Sequence, residues 1–229
     1  MLFRSEFDVI LATNDGKWLQ EYRNAGVPLC AFMPNFCDPD TDYHYEVEDK
    51  WKTDILWTGT LKHHVQGGQL FREELVRKLA DMPNAKLYGC LGNPQIGGID
   101  YLYAISGARI GIHINAENDI PMYHSDRLTH YLACGTCVLA KKVPGSESMF
   151  KDGVHLRYFD DWKQLNELIK YYLSNERQRK TIADSGMARV HEQFNCEKIA
   201  GYILELIEHG RYSAPFYSSL SVTAGSDKN

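Results

Sequence analysis

Long apolar runs are missing from this chain. Polar side chains interrupt every stretch of its 229 residues before it reaches the roughly 18 that a membrane span needs. A basic surplus is missing too. Lys and Arg number 25 against 30 Asp and Glu, for a net charge of −5. That excludes a general nucleic-acid-binding face, although a local basic pocket remains possible. The N-terminus, MLFRSEFDVILATND, has no uninterrupted apolar core of a secretory signal. Cysteine is sparse: six residues, at 30, 37, 90, 134, 137 and 196, too scattered for a disulfide framework. They read as reduced thiols of a cytoplasmic protein. GNPQIGG, at 92–98, lacks the G-x-G-x-x-G spacing of a dinucleotide fingerprint and its acidic residue about twenty positions on. What is present is an ordinary globular composition, 44% apolar, enough to bury a core.

The pattern along the chain alternates strand and helix. Residues 7–12 read as a buried strand, 15–25 as a short helix stopped by Gly26, and VPLCAFMPN as a second strand. An acidic, aromatic stretch without period, FCDPDTDYHYEVEDKWKT at 36–53, reads as a linker. Beyond it, DILWTGT is a strand. Phe71, Leu75 and Leu79 mark a helix over 69–81. AKLYG is a strand and 99–106 a short helix. RIGIHIN places Ile110, Ile112 and Ile114 on one face of a strand. A helix over 125–134 leads into the strand TCVLA, and HLRYF is the next strand. Trp162, Leu165, Leu168, Ile169 and Tyr172 mark a helix capped by Asp160 or Asp161. Helix continues to about 194, and another runs from 197 to 209, stopped by Gly210. This order predicts an α/β fold with a doubly wound parallel sheet. Its ligand site belongs outside the carboxyl ends of the strands, at loops 59–68, 89–98, 115–124 and 140–148. The polar tail 211–229 is expected to be disordered.

A strand with almost nothing before it is an odd start. Leu2–Ser5, LFRS, is also what the end of a common sequencing adapter encodes. The expectation is therefore a gene fragment whose protein extends upstream.

Cys134 and Cys137, in THYLACGTCVLA, raise the question of a redox or metal pair. A reactive C-x-x-C sits at a helix N-terminus, where the dipole lowers a thiol pKa. Here the helix precedes the pair, so both thiols take the place of small packed side chains. Gly135 is the helix stop between them.

SDRLTHYLACGTCVLA resembles the R-x-(F/L)-E-x-x-A-x-G-x-x-(V/L)-L stretch in the nucleotide-sugar domain of GT-B glycosyltransferases, and most of all the CgeB-like branch of the retaining group 1 enzymes. DILWTGTL is similar to the first strand and glycine turn of that domain. YLYAISGARIGIHIN is similar to its helix and buried strand, and VHLRYFDDWKQLNELIKYYLSNERQRKTIADSGMARVHEQFN to its C-terminal block. The likeness covers about 54–209. It implies a Rossmann-like C-terminal half of a GT-B fold at 54–210, binding the donor. It also implies a remnant of an N-terminal acceptor-side domain at 1–35, the linker at 36–53 and the tail at 211–229. The implied activity is a hexosyltransferase-type glycosyltransferase. A sugar would pass from a nucleotide-diphosphate sugar to a glycan, protein or cell-envelope acceptor, with retention, without metal or other cofactor. With half the interdomain cleft missing, the fragment itself is expected to be inactive. Two alternatives stand beside it: a non-catalytic module of the same fold, and another nucleotide-binding α/β domain.

A leaving diphosphate needs backbone N–H groups, a helix N-terminus and cations. Ser125 is placed as N-cap of the relevant helix, and Arg127 in its first turn is a phosphate-contact candidate. The competing reading of Arg127 is a surface salt bridge. Lys62, after the Gly59 turn, is a second cation candidate or a solvated loop lysine. Gly59 lets backbone approach the diphosphate. In the family a glutamate that binds ribose stands five residues before the glycine. Here that position is His130, and the other acid of the pair falls near Met122. Gly135 completes the motif. Secondary candidates are His63 and His64 beside the donor loop, His124, and Glu117, with Asp119 near it. Loop residues of these types are commonly just solvated. Asp38, Asp40 and Asp42 form a D-x-D-x-D run that reads as a turn rather than a metal site. His113 reads as a satisfied core residue.

Overall fold

Two sheets organise the computed structural model, which describes residues 7–61, 68–214 and 222–224. The first begins as a βαβ unit: β1 (Val9–Ala12), α1 (Lys17–Asn24) and β2 (Leu29–Phe32), with β1 and β2 parallel. β1 is an edge strand. Contrary to the expectation of a buried strand, it is only half-buried, with Leu11 exposed.

The second sheet is built from β3 (Thr53–Thr58), α2 (Gly68–Ala80), β4 (Ala85–Tyr88), α3 (Gly98–Ser106), β5 (Ala108–His113), α4 (Asp126–Ala133), β6 (Cys137–Lys141) and β7 (Arg157–Phe159). Three helices follow: α5 (Trp162–Ser174), α6 (Glu176–Gln193) and α7 (Cys196–His209). The strand order is β4-β3-β5-β6-β7, all parallel. This is the doubly wound α/β arrangement expected from the alternating pattern. The winding reverses between β3 and β5, so a crevice opens there at the carboxyl ends.

Both faces of the sheet are covered, which explains the near-continuous apolar strands. Ile55, Trp57, Ile110, Ile112 and Leu139 point into one core with Leu75 and Leu79 of α2 and Leu165 and Ile169 of α5. Leu56, Val138 and Ala140 face the other, against Leu128, Tyr131 and Leu132 of α4. Gly111 is needed on that face: a Cβ there would lie 2.5 Å from the Tyr131 ring. Lying flat on β5, Tyr131 reaches β3, where its hydroxyl is 3.0 Å from Thr58 Oγ1.

Caps close the helices where the sequence marks them. Asp161 Oδ1 accepts the Gln164 N–H at 2.8 Å, and Asn195 Oδ1 accepts the Lys198 N–H at 2.8 Å. Gly135 (φ 71°) and Gly210 (φ 67°) adopt the left-handed conformation that ends α4 and α7.

The 36–53 stretch follows an ordered path. Its Cys37 pairs with Asn195 as a β-bridge, His44 Nδ1 lies 2.9 Å from the Cys134 carbonyl, and the Tyr45 N–H donates to Ser106 Oγ at 3.1 Å. Of the tail expected to be disordered, residues 211–214 and 222–224 are described. Tyr212 is buried and donates to the Phe32 carbonyl at 2.8 Å, Ala214 is buried, and β8 (Val222–Ala224) pairs antiparallel with β2. The exposed peptide edge of β2 draws these residues in, which composition does not reveal. No helix among the described residues is long and apolar enough to cross a membrane.

Two helical glycines separate packing from propensity. A Cβ on Gly186 in α6 would run into the His155 carbonyl oxygen and come within 2.8 Å of Leu132 Cδ2, whereas Gly201 in α7 has nothing within 4 Å. Helix propensity favours alanine by about 1 kcal/mol at either site, but overpacking costs about 1–3 kcal/mol. Gly201→Ala is expected to raise the unfolding midpoint in urea and Gly186→Ala to lower it.

Candidate functional site

The crevice between β3 and β5 is bridged by a side chain. Arg127, in the first turn of α4, donates through Nη1 to the Thr58 carbonyl at the end of β3. Through Nη2 it donates to the Ile114 carbonyl just past β5, at 2.6 Å. It is 8% exposed. A second guanidinium joins it from α2: Arg72, also 8% exposed, donates through Nη2 to the Thr60 carbonyl at 2.9 Å. Both stand over the Trp57 ring, at 5.4 Å for Arg72 and 5.6 Å for Arg127. Gly59 lies between them with φ 145°. A Cβ there would meet Arg127 Nη1 at 2.6 Å and Arg72 Nη2 at 3.0 Å. Only glycine fits, on both counts.

Two cations are thus packed together, and among the described residues neither forms an ion pair with a carboxylate. Burial, and then the neighbouring Arg127, pull the Arg72 pKa down to about 10. It is still charged at neutral pH. Each guanidinium keeps a buried Nε, and Trp57 its Nε1, without a hydrogen-bond partner among the described residues. Donors without acceptors in a cationic crevice are the chemistry of an anion site. A cleft of about 210 Å³ opens beside it, lined by Thr58–Thr60, Tyr88, Gly89, Gln95, Ile96, Tyr101, Asp126 and Arg127. Gly89 (φ 79°) brings a second bare turn against the Gly59 carbonyl.

The loop after β5 is organised by Asn115. Its Oδ1 accepts from Ser125 N at 3.1 Å and lies 3.1 Å from His113 Nε2, and its Nδ2 donates to the Tyr123 carbonyl at 2.9 Å. The βαβ unit buttresses the same loop: the Asp15 N–H donates to the Pro121 carbonyl at 2.9 Å and Asn35 Nδ2 to the His124 carbonyl at 2.6 Å. His113 and His124 are both buried, with ring centroids 5.6 Å apart. Burial, and then Arg127, hold His113 well below the usual imidazole range. Burial alone brings His124 down to about 3.

Residues 69–205 match the glycosyl transferase-like family, which is more than half of the chain. The chain belongs to this family. No curated protein matches it. Solved structures share its fold. Anabaena Alr3699/HepE in complex with UDP-glucose superposes with a TM-score of 0.63 at 15% identity, over 88% of this chain and 64% of that one. Sucrose-phosphate synthase from Thermosynechococcus elongatus gives 0.57 at 18%, over 77% of this chain and 51% of that one. TarM gives 0.54 at 11%, over 89% and 44%. The chain thus spans less than two thirds of these proteins.

The glycosyltransferase motif residues divide by position. Gly59 and Arg127 meet in the crevice, but Arg127 is neither on the surface nor in a salt bridge, since backbone carbonyls hold it. Ser125 occupies the N-cap position of α4 without capping: its Oγ is buried without a partner among the described residues, and Asp126 Oδ1 takes the Arg127 N–H instead, at 2.8 Å. His130 stands behind the cleft wall, its Nδ1 3.4 Å from the Tyr101 hydroxyl. Gly135 is not at the site. It lies past the C-terminus of α4, against Met187, with the helix length between it and Arg127. Its glycine serves the turn. His124 faces the seam with the βαβ unit beside Thr13 and Asn35, and Glu117 is exposed on the loop. Lys62, His63 and His64 lie outside the described residues.

Cys134 and Cys137 are buried free thiols, each pushed up to about 12 by burial, as small packed side chains require. Asp38 and Asp42 turn the chain: Asp42 Oδ2 accepts the Asp38 N–H at 2.8 Å, and Asp38 Oδ1 the Asp40 N–H at 3.0 Å. No acid, His and Cys cluster fit for a metal occurs among the described residues.

Sequence reasoning missed Arg72, Trp57, Tyr101 and Asp126. Arg72 sits in an REE run that reads as a solvated helix face. Only the crossing of α2 over β3 turns it inward.

The buried histidines set a pH dependence. An unfolded histidine titrates near 6.5. Because the folded His124 titrates near 3, protons bind the unfolded chain preferentially between those values. Its contribution to stability is complete above 6.5 and falls by about 1.4 kcal/mol per pH unit below it. Urea unfolding from pH 7 to pH 4.5 is expected to show a steeper loss in the wild type than in His124→Gln.

Proposed function

We propose that this chain is the nucleotide-sugar-binding part of a GT-B glycosyltransferase of the CgeB-like branch. One observation carries the reading: two buried guanidinium groups without carboxylate partners among the described residues, placed around a glycine turn where the winding of the sheet reverses. A nucleoside diphosphate supplies the anion that this pair lacks. The UDP-glucose held by the HepE structure, and the shared fold, support the same ligand class.

As the bond between the sugar and the leaving phosphate breaks, negative charge grows on the diphosphate. Arg127, the dipole of α4 and the bare turns at Gly59 and Gly89 face that charge in the cleft, and Arg72, packed beside Gly59, adds to the positive field. Two fixed cations do the work that a divalent metal does elsewhere, so transfer is metal-independent in this reading. The incoming hydroxyl attacks the same face that the diphosphate leaves, which gives retention. The acceptor is a glycan, protein or envelope polymer. It is bound together with an N-terminal domain, of which residues 1–35 are the last βαβ piece, joined through 36–53 to the donor domain at 54–210. The protein works in the cytoplasm, where nucleotide sugars are made.

Calorimetric titration with UDP, GDP, ADP and dTDP, with and without Mg²⁺, tests the reading. One nucleotide is expected to bind irrespective of metal. Arg127→Ala and Arg72→Gln are each expected to weaken it by about 1.5–3 kcal/mol, the value of a charged hydrogen bond. A folded chain with no affinity for any of the four favours the non-catalytic module instead.

A further inference from the structure

A cavity of about 720 Å³ lies at the opposite end of the sheet from the cleft. Its floor includes the first residues of three strands: Thr53 of β3, Ala108 of β5 and Cys137 of β6. The first turns of α6 line one side, with Glu176, Arg179 and Lys180, and the 44–47 stretch lines the other. The three floor residues are buried, whereas Glu46, Glu176 and Lys180 are exposed at the rim. The shape is an open groove with a closed floor. Because β3 has six residues, groove and cleft are separated by about 20 Å of strand.

We propose that this groove binds a glycan chain and holds it at a point remote from the sugar that reacts. The proposal rests on reading the protein as a transferase with a glycan acceptor.

The lining selects the ligand class. Donors and acceptors stand side by side in it. Arg109 Nη1 donates to Asp54 Oδ1 at 2.8 Å, and Arg179 Nη2 lies 3.7 Å from Glu176 Oε1. An anionic ligand meets the acids at Glu46, Asp54 and Glu176. An apolar one strips water from charges of both signs. A sugar hydroxyl both donates and accepts, so a run of hydroxyls serves both kinds of group at once. Arg179 is the buried member of the set, 7% exposed. Its Nη1 donates to the Tyr172 carbonyl at 3.1 Å. The 3.7 Å to Glu176 is too long for a hydrogen bond, so Nη2 makes none among the described residues. A buried donor with capacity left, on a residue that lines a cavity, calls for an acceptor from outside.

The aromatic rings beside the groove point to sugars in particular. Tyr45 lines it, and Tyr43, which is 43% exposed, stacks on Tyr45 with centroids 4.2 Å apart. Tyr103 meets Tyr45 edge-on at 5.4 Å. An exposed ring held by stacking offers its negative face to the C–H bonds of a sugar ring and loses little rotamer freedom in doing so. The exposed rim lets a chain pass through, where a small metabolite is usually enclosed.

The test uses amide chemical shifts of the ¹⁵N-labelled chain. It is titrated with neutral tetra- to hexasaccharides of glucose, mannose, galactose and N-acetylglucosamine, and with inorganic phosphate and pyrophosphate. A separate titration uses UDP, GDP, ADP and dTDP. At least one oligosaccharide is expected to shift amides at 44–47, 106–109 and 176–183, whether or not a nucleotide is bound. Tyr43→Ala and Glu176→Gln, both at exposed positions, are each expected to weaken that binding by roughly 2- to 12-fold, the range of a single neutral hydrogen bond, and to leave nucleotide affinity unchanged. Binding of no oligosaccharide overturns the proposal. So do shifts confined to 58–60 and 88–96, or phosphate or pyrophosphate taking the groove in place of every sugar. The nucleotide titration answers separately for the donor cleft, so failure there with sugar bound in the groove overturns the donor reading alone.

Discussion

Two like charges packed together are the constraint on which this structure turns. Arg72 and Arg127 approach the same glycine from different helices, and neither has an acid to answer it among the described residues. Burying cations without partners is costly unless hydrogen bonds and ring faces offset it. Here carbonyls at Thr58, Thr60 and Ile114 take the donors, and the Trp57 ring takes the guanidinium faces. The carbonyls are free to do so because they lie at or beyond strand ends, where the ladder stops. The reversal of strand order and the cation pair therefore belong together. The crevice exposes carbonyls, the carbonyls hold the arginines, and the arginines prepare a site for anions.

The rest of the chain keeps that arrangement rigid. Tyr131 crosses the bare face of Gly111 and ties α4 to β3. Asn115 pins the loop that leads into α4, while Asp15 and Asn35 hold that loop from the side of the βαβ unit. The stretch at 36–53 packs behind α4 through Asp42 and His44. The small first sheet, completed by β8, is thus mechanically joined to the loop beside the site.

Much of the fold was legible. The alternation of strand and helix patterns, with apolar periods at α2 and α5 and an alternating face at β5, located the α-helices and every described strand but β8. The glycines at 59, 135 and 210 marked real turns. The misses share a cause. β8 is a segment of three residues whose partner lies far back in the sequence, and no local pattern encodes that pairing. Gly135 belongs to the same motif as Arg127, yet a helix separates them, so closeness in sequence misled about closeness in space. Arg72 gave no local signal: its neighbours are acids, and its burial comes from packing against an element distant in sequence.

The sequence by itself determined the element order, the parallel α/β class, the buried fate of Cys134 and Cys137, and the helix start that carries Arg127. These follow from local propensity, periodicity and backbone conformation, which neighbouring residues set. Only the tertiary structure decided that a second guanidinium from α2 joins Arg127. It alone placed His130 behind Tyr101 rather than in the cleft, and paired β8 with β2. Those facts depend on which surfaces meet once the sheet is wound, and contacts between distant segments leave no period in the chain.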